Sequence, residues 1–130
     1  MNSTLESDFV KAILVALSKR KDVRVWRQNS GKSVVVDPHT GRKRSMQMAP
    51  TGAADISGIH IRTGQRVEIE CKAAGNRPSA AQKRWRKFIE SFHGIYVLAA
   101  HDEKRTMKEN VDTVVSDFET SVEWSEVFRP

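Results

Sequence analysis

The segment Val67-Glu68-Ile69-Glu70-Cys71-Lys72 constrains this chain more than any other. On a strand, residues two apart share a face. Val67, Ile69 and Cys71 then share an apolar face suited to a core. Glu68, Glu70 and Lys72 share the opposite one. Three charges back to back with a core need an explanation, and a cation held by the acids is one. The plainer alternative is an exposed strand face whose ion pairs contribute little.

Around this strand, helical and extended patterns alternate. Ser3-Thr4-Leu5-Glu6 fits a capping box, with Ser3 as N-cap and Glu6 at N3. Leu5, Phe9, Val10, Ile13, Leu14 and Leu17 follow at helical spacing. Glu6 lies on that inward stripe, where capping accounts for it as well as a functional role does. Val23–Arg27 alternates as a short strand, and Gln28-Asn29-Ser30-Gly31 breaks it. Residues 34–37 form a strand, Pro38-His39-Thr40-Gly41 a turn, and Arg42-Lys43-Arg44 opens a basic return arm. That hairpin is expected to be exposed, as a DNA-contacting flap or as a solvated edge that resists aggregation.

The small-residue loop Pro50-Thr51-Gly52-Ala53-Ala54 leads to Asp55. Residues 56–62 and 66–72 read as strands joined at Thr63-Gly64. Pro78-Ser79-Ala80-Ala81-Gln82 is a second capping box, with Ser79 as N-cap and Gln82 at N3. Its helix is expected to reach about His93 and stop at Gly94, with Trp85, Phe88, Ile89 and Phe92 on a core stripe. Taken alone, Gln82 needs no role beyond the cap. Residues 95–100 form a near-continuous apolar strand, as in a sheet covered on both faces. An amphipathic helix begins near Asn110, and Trp124, Val127 and Phe128 suggest docking at its end. The fold class is α/β or α+β, a mixed sheet flanked by helices.

The chain has 130 residues, enough for one domain with a sizeable core. No apolar run approaches the ~18 residues that span a bilayer. The first residues lack the basic-then-apolar signature of a signal peptide. Cys71 is the single cysteine, so a disulfide framework and a cysteine zinc site are excluded. His39, His60, His93 and His101 show no metal-ligand spacing. A cytoplasmic, reducing compartment is expected. Residues 1–100 carry a net charge of +10 and residues 101–130 a net charge of −4. The basic part is the candidate body for a polyanion, and the acidic part a helical extension packed on it or placed at an interface.

The acids and the lysine fit phosphodiester hydrolysis. Mg²⁺ is a hard cation that needs few carboxylates and keeps several waters. Asp55 and Glu70, on two arms of one hairpin, would hold such an ion, with the carbonyl of Cys71 nearby. Lys72 would position or deprotonate the attacking water. Lys83, Arg84, Arg86 and Lys87 would ordinarily be a solvated face. Beside a metal site they would line the path of a phosphate backbone.

Asp55 followed by Glu70-Cys71-Lys72 resembles the PD-(D/E)xK nuclease superfamily. More narrowly, the chain resembles stand-alone virus-type replication–repair nuclease (VRR-NUC) domains of the kind found in phages. The resemblance covers roughly residues 5–100. It rests on Glu6, Arg27-Gln28-Asn29-Ser30-Gly31, residues 52–58, residues 68–72 and Ser79-Ala80-Ala81-Gln82. Ala54 stands where the motif has proline. The resemblance implies a restriction-endonuclease-like core over residues 1–100, with residues 101–130 appended. It implies Mg²⁺ or Mn²⁺ as cofactor, with Glu6, Asp55, Glu70 and Cys71 at the metal. Asp55, Glu70, Lys72 and Gln82 would be the catalytic set. Arg42, Lys43, Arg44, Lys83, Arg84 and Lys87 are the candidate DNA contacts. The implied activity is endonucleolytic cleavage of branched DNA by a homodimer, leaving 5′-phosphate and 3′-hydroxyl ends. A non-catalytic DNA-binding or scaffolding domain on the same fold is the alternative, and an RNA-directed or restriction-type nuclease of the same superfamily is a third reading.

Overall fold

The strand over residues 66–73 is covered on both faces, the charged one as well as the apolar one. The computed structural model describes residues 3–28, 32–47 and 49–127. Helix α1 (Ser3–Ser18) leads to β1 (Val23–Arg27), then β2 (Lys32–Val36) and β3 (Lys43–Gln47). Strands β4 (Ile56–His60) and β5 (Arg66–Ala73), helix α2 (Ala80–Ser91), strand β6 (Ile95–His101) and helix α3 (Met107–Val127) complete it. The main sheet has the order β1-β4-β5-β6, antiparallel except for the parallel β5–β6 pair that α2 connects. Strands β2 and β3 form a separate two-stranded sheet. The expected α/β architecture, a mixed sheet flanked by helices, is present.

One face of the sheet carries the main core. Phe9, Val10, Ile13 and Leu17 of α1 and Val114 and Phe118 of α3 are buried there. They pack on Ile56, Val67, Ile69, Cys71, Val97 and Ala99. Helix α3 therefore shares one core with residues 1–100. Helix α2 lies on the opposite face, over Glu68 and Glu70.

Several expectations need correcting. Glu68 and Glu70 are 0% and 4% exposed, so they are not a solvated strand face. Ile89 is the buried residue of α2. Phe88 and Phe92, expected in the core, are 55% and 48% exposed, because α2 leans on β6 and leaves that stripe uncovered. Helix α2 ends at Ser91, and His93 rather than Gly94 takes the left-handed conformation, with φ of 68°. Gly94 is needed for a different reason: a Cβ there would lie 2.7 Å from the Ile89 carbonyl oxygen. Strand β4 stops at His60, and residues 61–65 turn the chain, closed by Gly64 N–H to His60 O at 2.8 Å. Ser3 is itself helical, inside the first turn of α1 rather than at its N-cap. The side chain of Ser3, Asn29-Ser30-Gly31, Met48 and Phe128 lie outside the described residues. Among the described residues, no helix is long and apolar enough to cross a membrane.

Candidate active site

The site forms where the β4–β5 ladder ends. The last paired residues are Ile56 and Ile69. Beyond them the side chain of Asp55 replaces the missing backbone partner: its Oδ2 accepts the Cys71 N–H at 2.9 Å. The carbonyl of Asp55 meanwhile accepts the Gln28 N–H at 2.8 Å. Asp55 is thus held from both sides. Its approach is built of small residues for a packing reason. Ala53 and Ala54 are buried, and Gly52 (φ 85°) lies so close to α2 that a Cβ would sit 2.3 Å from the Ala81 carbonyl oxygen. Loop and helix start are locked together, which brings Asp55 and Gln82 to one place.

Glu70 is the centre of the cluster. Gln82 Nε2 donates to its Oε1 at 3.0 Å. The same Gln82 accepts the Ser79 N–H through its own Oε1 at 2.9 Å, and Ser79 Oγ accepts the Gln82 N–H at 3.1 Å. The capping box and the site contact coexist in one side chain. Burial, and then the neighbouring charge of Asp55, push the Glu70 carboxyl up to about 8, while Lys72 opposes them. Among the described residues, Glu70 Oε2 has no hydrogen-bond partner. A buried carboxyl oxygen beside a second carboxylate is satisfied by a shared proton, a water or a cation. The donor set is hard oxygen, which suits Mg²⁺ or Mn²⁺.

Cys71 contributes through its backbone. Its side chain faces the α1–α3 core, where burial raises the thiol far above the usual range. Both polar backbone groups of a strand residue leave by the same edge. The N–H of Cys71 reaches Asp55, so its carbonyl also faces that side. Glu6 is half-buried and close enough for its charge to act on Cys71. Among the described residues, however, no three His, Cys, Asp or Glu side chains come together to hold a metal. Glu6 therefore does not complete a three-carboxylate cluster with Asp55 and Glu70. Lys72, half-buried, follows Glu68 and Glu70 on the α2 side of β5.

Sequence reasoning assigned Glu68 no role and missed its partners. Ser57 Oγ donates to Glu68 Oε2 at 2.5 Å, and Trp85 Nε1 donates to Oε1 at 2.9 Å. The Arg66 guanidinium lies 3.7 Å from Oε1. Burial raises this carboxyl, and the three partners work against the rise. The available signal was spacing: Trp85 lies one turn beyond Gln82, as Glu68 lies two residues before Glu70.

The candidate phosphate contacts fall into two groups. Arg42, Lys43 and Arg44 are exposed on the β2–β3 hairpin, and Lys83, Arg84 and Lys87 are exposed on α2. Arg86 is engaged with Glu90 at 3.2 Å and stacks over Tyr96. No family model matches the chain, and no curated protein matches it at a significant level.

Proposed function

We propose that this protein is a Mg²⁺- or Mn²⁺-dependent DNA endonuclease of the PD-(D/E)xK type. The observation that carries the reading is the junction of Asp55 and Glu70 at the open end of the β4–β5 ladder, with a buried Glu70 oxygen that has no donor among the described residues. The main sheet supports it: after α1 come the antiparallel strands β1, β4 and β5, the crossover helix α2 and the parallel strand β6, with the β2–β3 hairpin inserted after β1 and α3 following β6. So does the basic surface on α2, which starts at the site.

Asp55, Glu70 and the Cys71 carbonyl would hold the cation. When bound, a divalent ion neutralises charge at a scissile phosphate and acidifies a water. The protein's own groups do the rest. Gln82 fixes Oε1 of Glu70 and leaves Oε2 free. Lys72, an ammonium donor beside Glu70, would orient the attacking water, whose proton leaves to solvent. Glu6, whose charge reaches Cys71, would add negative charge near the site. Exposed Lys83, Arg84 and Lys87 take the flanking phosphates, each making binding more salt-dependent. Branched DNA is the proposed substrate and a homodimer the proposed assembly, since a four-way junction has two-fold symmetry.

The test is a panel of junction, flap, linear duplex, single-stranded DNA and RNA substrates with Mg²⁺ or Mn²⁺. Cleavage of a DNA member that disappears in Lys72→Ala supports the reading. Undiminished cleavage by Lys72→Ala overturns it. Salt-sensitive binding with no cleavage of any member assigns the chain to the non-catalytic alternative.

A further inference from the structure

Strand β5 and helix α2 are joined by two hydrogen bonds in register. Gln82 Nε2 meets Glu70 Oε1 at 3.0 Å, and Trp85 Nε1 meets Glu68 Oε1 at 2.9 Å. Residues two apart on a strand share a face, as do residues three apart on a helix. The two bonds are therefore successive rungs between the same two surfaces.

A single rung leaves a helix free to roll about its axis, whereas two rungs fix the roll. Elsewhere α2 is held at its start, where Ala81 abuts Gly52, and on its β6 side by Ile89 and by Arg86 over Tyr96. Amphipathic helices are normally held by an apolar stripe. Here Ile89 is the buried residue, and Phe88 and Phe92 face outward. The acceptor of the second rung is unusually firm. Glu68 is 0% exposed and is gripped from the β4 side by Ser57, its direct cross-strand partner. Arg66 donates to the same Ser57 hydroxyl at 3.1 Å and lies over the Trp26 ring.

We propose that Trp85 and Glu68 are positioning residues: their hydrogen bond sets the roll of α2 and so fixes how Gln82 meets Glu70. The geometric part stands on the two rungs alone. Its consequence for metal affinity rests on the reading of Glu70 as a metal-site acid.

The test uses the full chain without DNA. The Gln82 side-chain amide is followed by NMR, assigned by its loss in Gln82→Ala. Trp85→Phe removes the donor and keeps an aromatic ring. Glu68→Leu removes the acceptor, and Glu68→Gln keeps one. In Trp85→Phe and Glu68→Leu the Gln82 amide should move to solvent-like shifts and lose its protection from exchange. In Glu68→Gln it should stay at its wild-type position. Mn²⁺ titrations should show about tenfold weaker binding in the first two variants, as for other groups that orient metal ligands, and near-wild-type binding in Glu68→Gln. If either of the first two variants fails to fold, the other carries the comparison. An unmoved Gln82 amide in a folded Trp85→Phe or Glu68→Leu, with only a lowered melting temperature, overturns the proposal. Wild-type protein that binds no Mn²⁺ overturns the metal reading instead, and leaves the amide comparison to decide the geometry.

Discussion

Gln82 donates to Glu70 across 3.0 Å while its carbonyl oxygen caps α2 at Ser79. One side chain thus ties the start of a helix to the most perturbed acid of the site. An amide is the group for this: it offers an acceptor to one partner and a donor to the other.

Substitution of Gln82 should separate the two duties. Gln82→Ala loses both, and should cost about 1 kcal/mol of stability together with roughly 10–100-fold in cleavage rate. Gln82→Glu retains the cap acceptor but sets a carboxylate against Glu70. Its stability should respond to divalent cation far more than that of Gln82→Ala. Urea unfolding with and without Mg²⁺, beside single-turnover cleavage, reads both.

Asp55→Asn and Lys72→Ala should abolish cleavage through different losses. Asp55→Asn keeps an oxygen able to accept the Cys71 N–H, so the fold should persist. It also removes a negative charge near phosphates. Its DNA affinity, measured by fluorescence anisotropy in chelator, should equal or exceed that of the wild type. Weaker binding by Asp55→Asn would count against a phosphate path beside Asp55.

Glu70 makes metal-free stability depend on pH. Its carboxyl is pushed up to about 8, whereas an unfolded glutamate titrates near ~4.3. Between these values the folded state binds the extra proton. The stabilisation is full below the unfolded pKa and is lost as pH rises through about 8. Melting temperature should fall by roughly 5 °C or more across that window. Mg²⁺, which requires the ionised form, should restore it most at the alkaline end. Glu70→Gln should flatten the profile, and equal slopes in wild type and variant would remove Glu70 as its source.

Helix α2 should respond unevenly to truncation. Ile89→Ala removes its buried anchor and should cost about 2–4 kcal/mol. Phe88→Ala, at a side chain 55% exposed, should cost about 1 kcal/mol or less. Chemical denaturation of both variants decides whether the aromatic stripe belongs to the core or to the surface.

Much of the fold was legible because local chemistry and tertiary demand agree. Strand β1 lies where Val23–Arg27 alternates, the Ser79–Gln82 capping box starts α2, and the basic hairpin stands apart. Apolar periodicity misled at Phe88 and Phe92, because periodicity marks a stripe without saying whether anything covers it. The same limit hid Glu68. A charged residue in a strand reads as solvent-facing unless its partners are known, and Ser57, Arg66 and Trp85 come from β4, from β5 itself and from α2.

The sequence by itself determined the elements, the two-faced character of β5 and the residue types of the site. Those depend on interactions within a few positions: side-chain alternation, capping spacing and turn chemistry. Only the tertiary structure decided that Glu68 and Glu70 are both buried, that Asp55 takes over the ladder at Cys71, and that Glu6 stands outside the acid pair. The reason is physical. Burial and carboxyl pKa are set by what an unrelated stretch of chain lays over a face, and here that stretch is α2, anchored by Ile89, the Ser79 cap and two polar rungs.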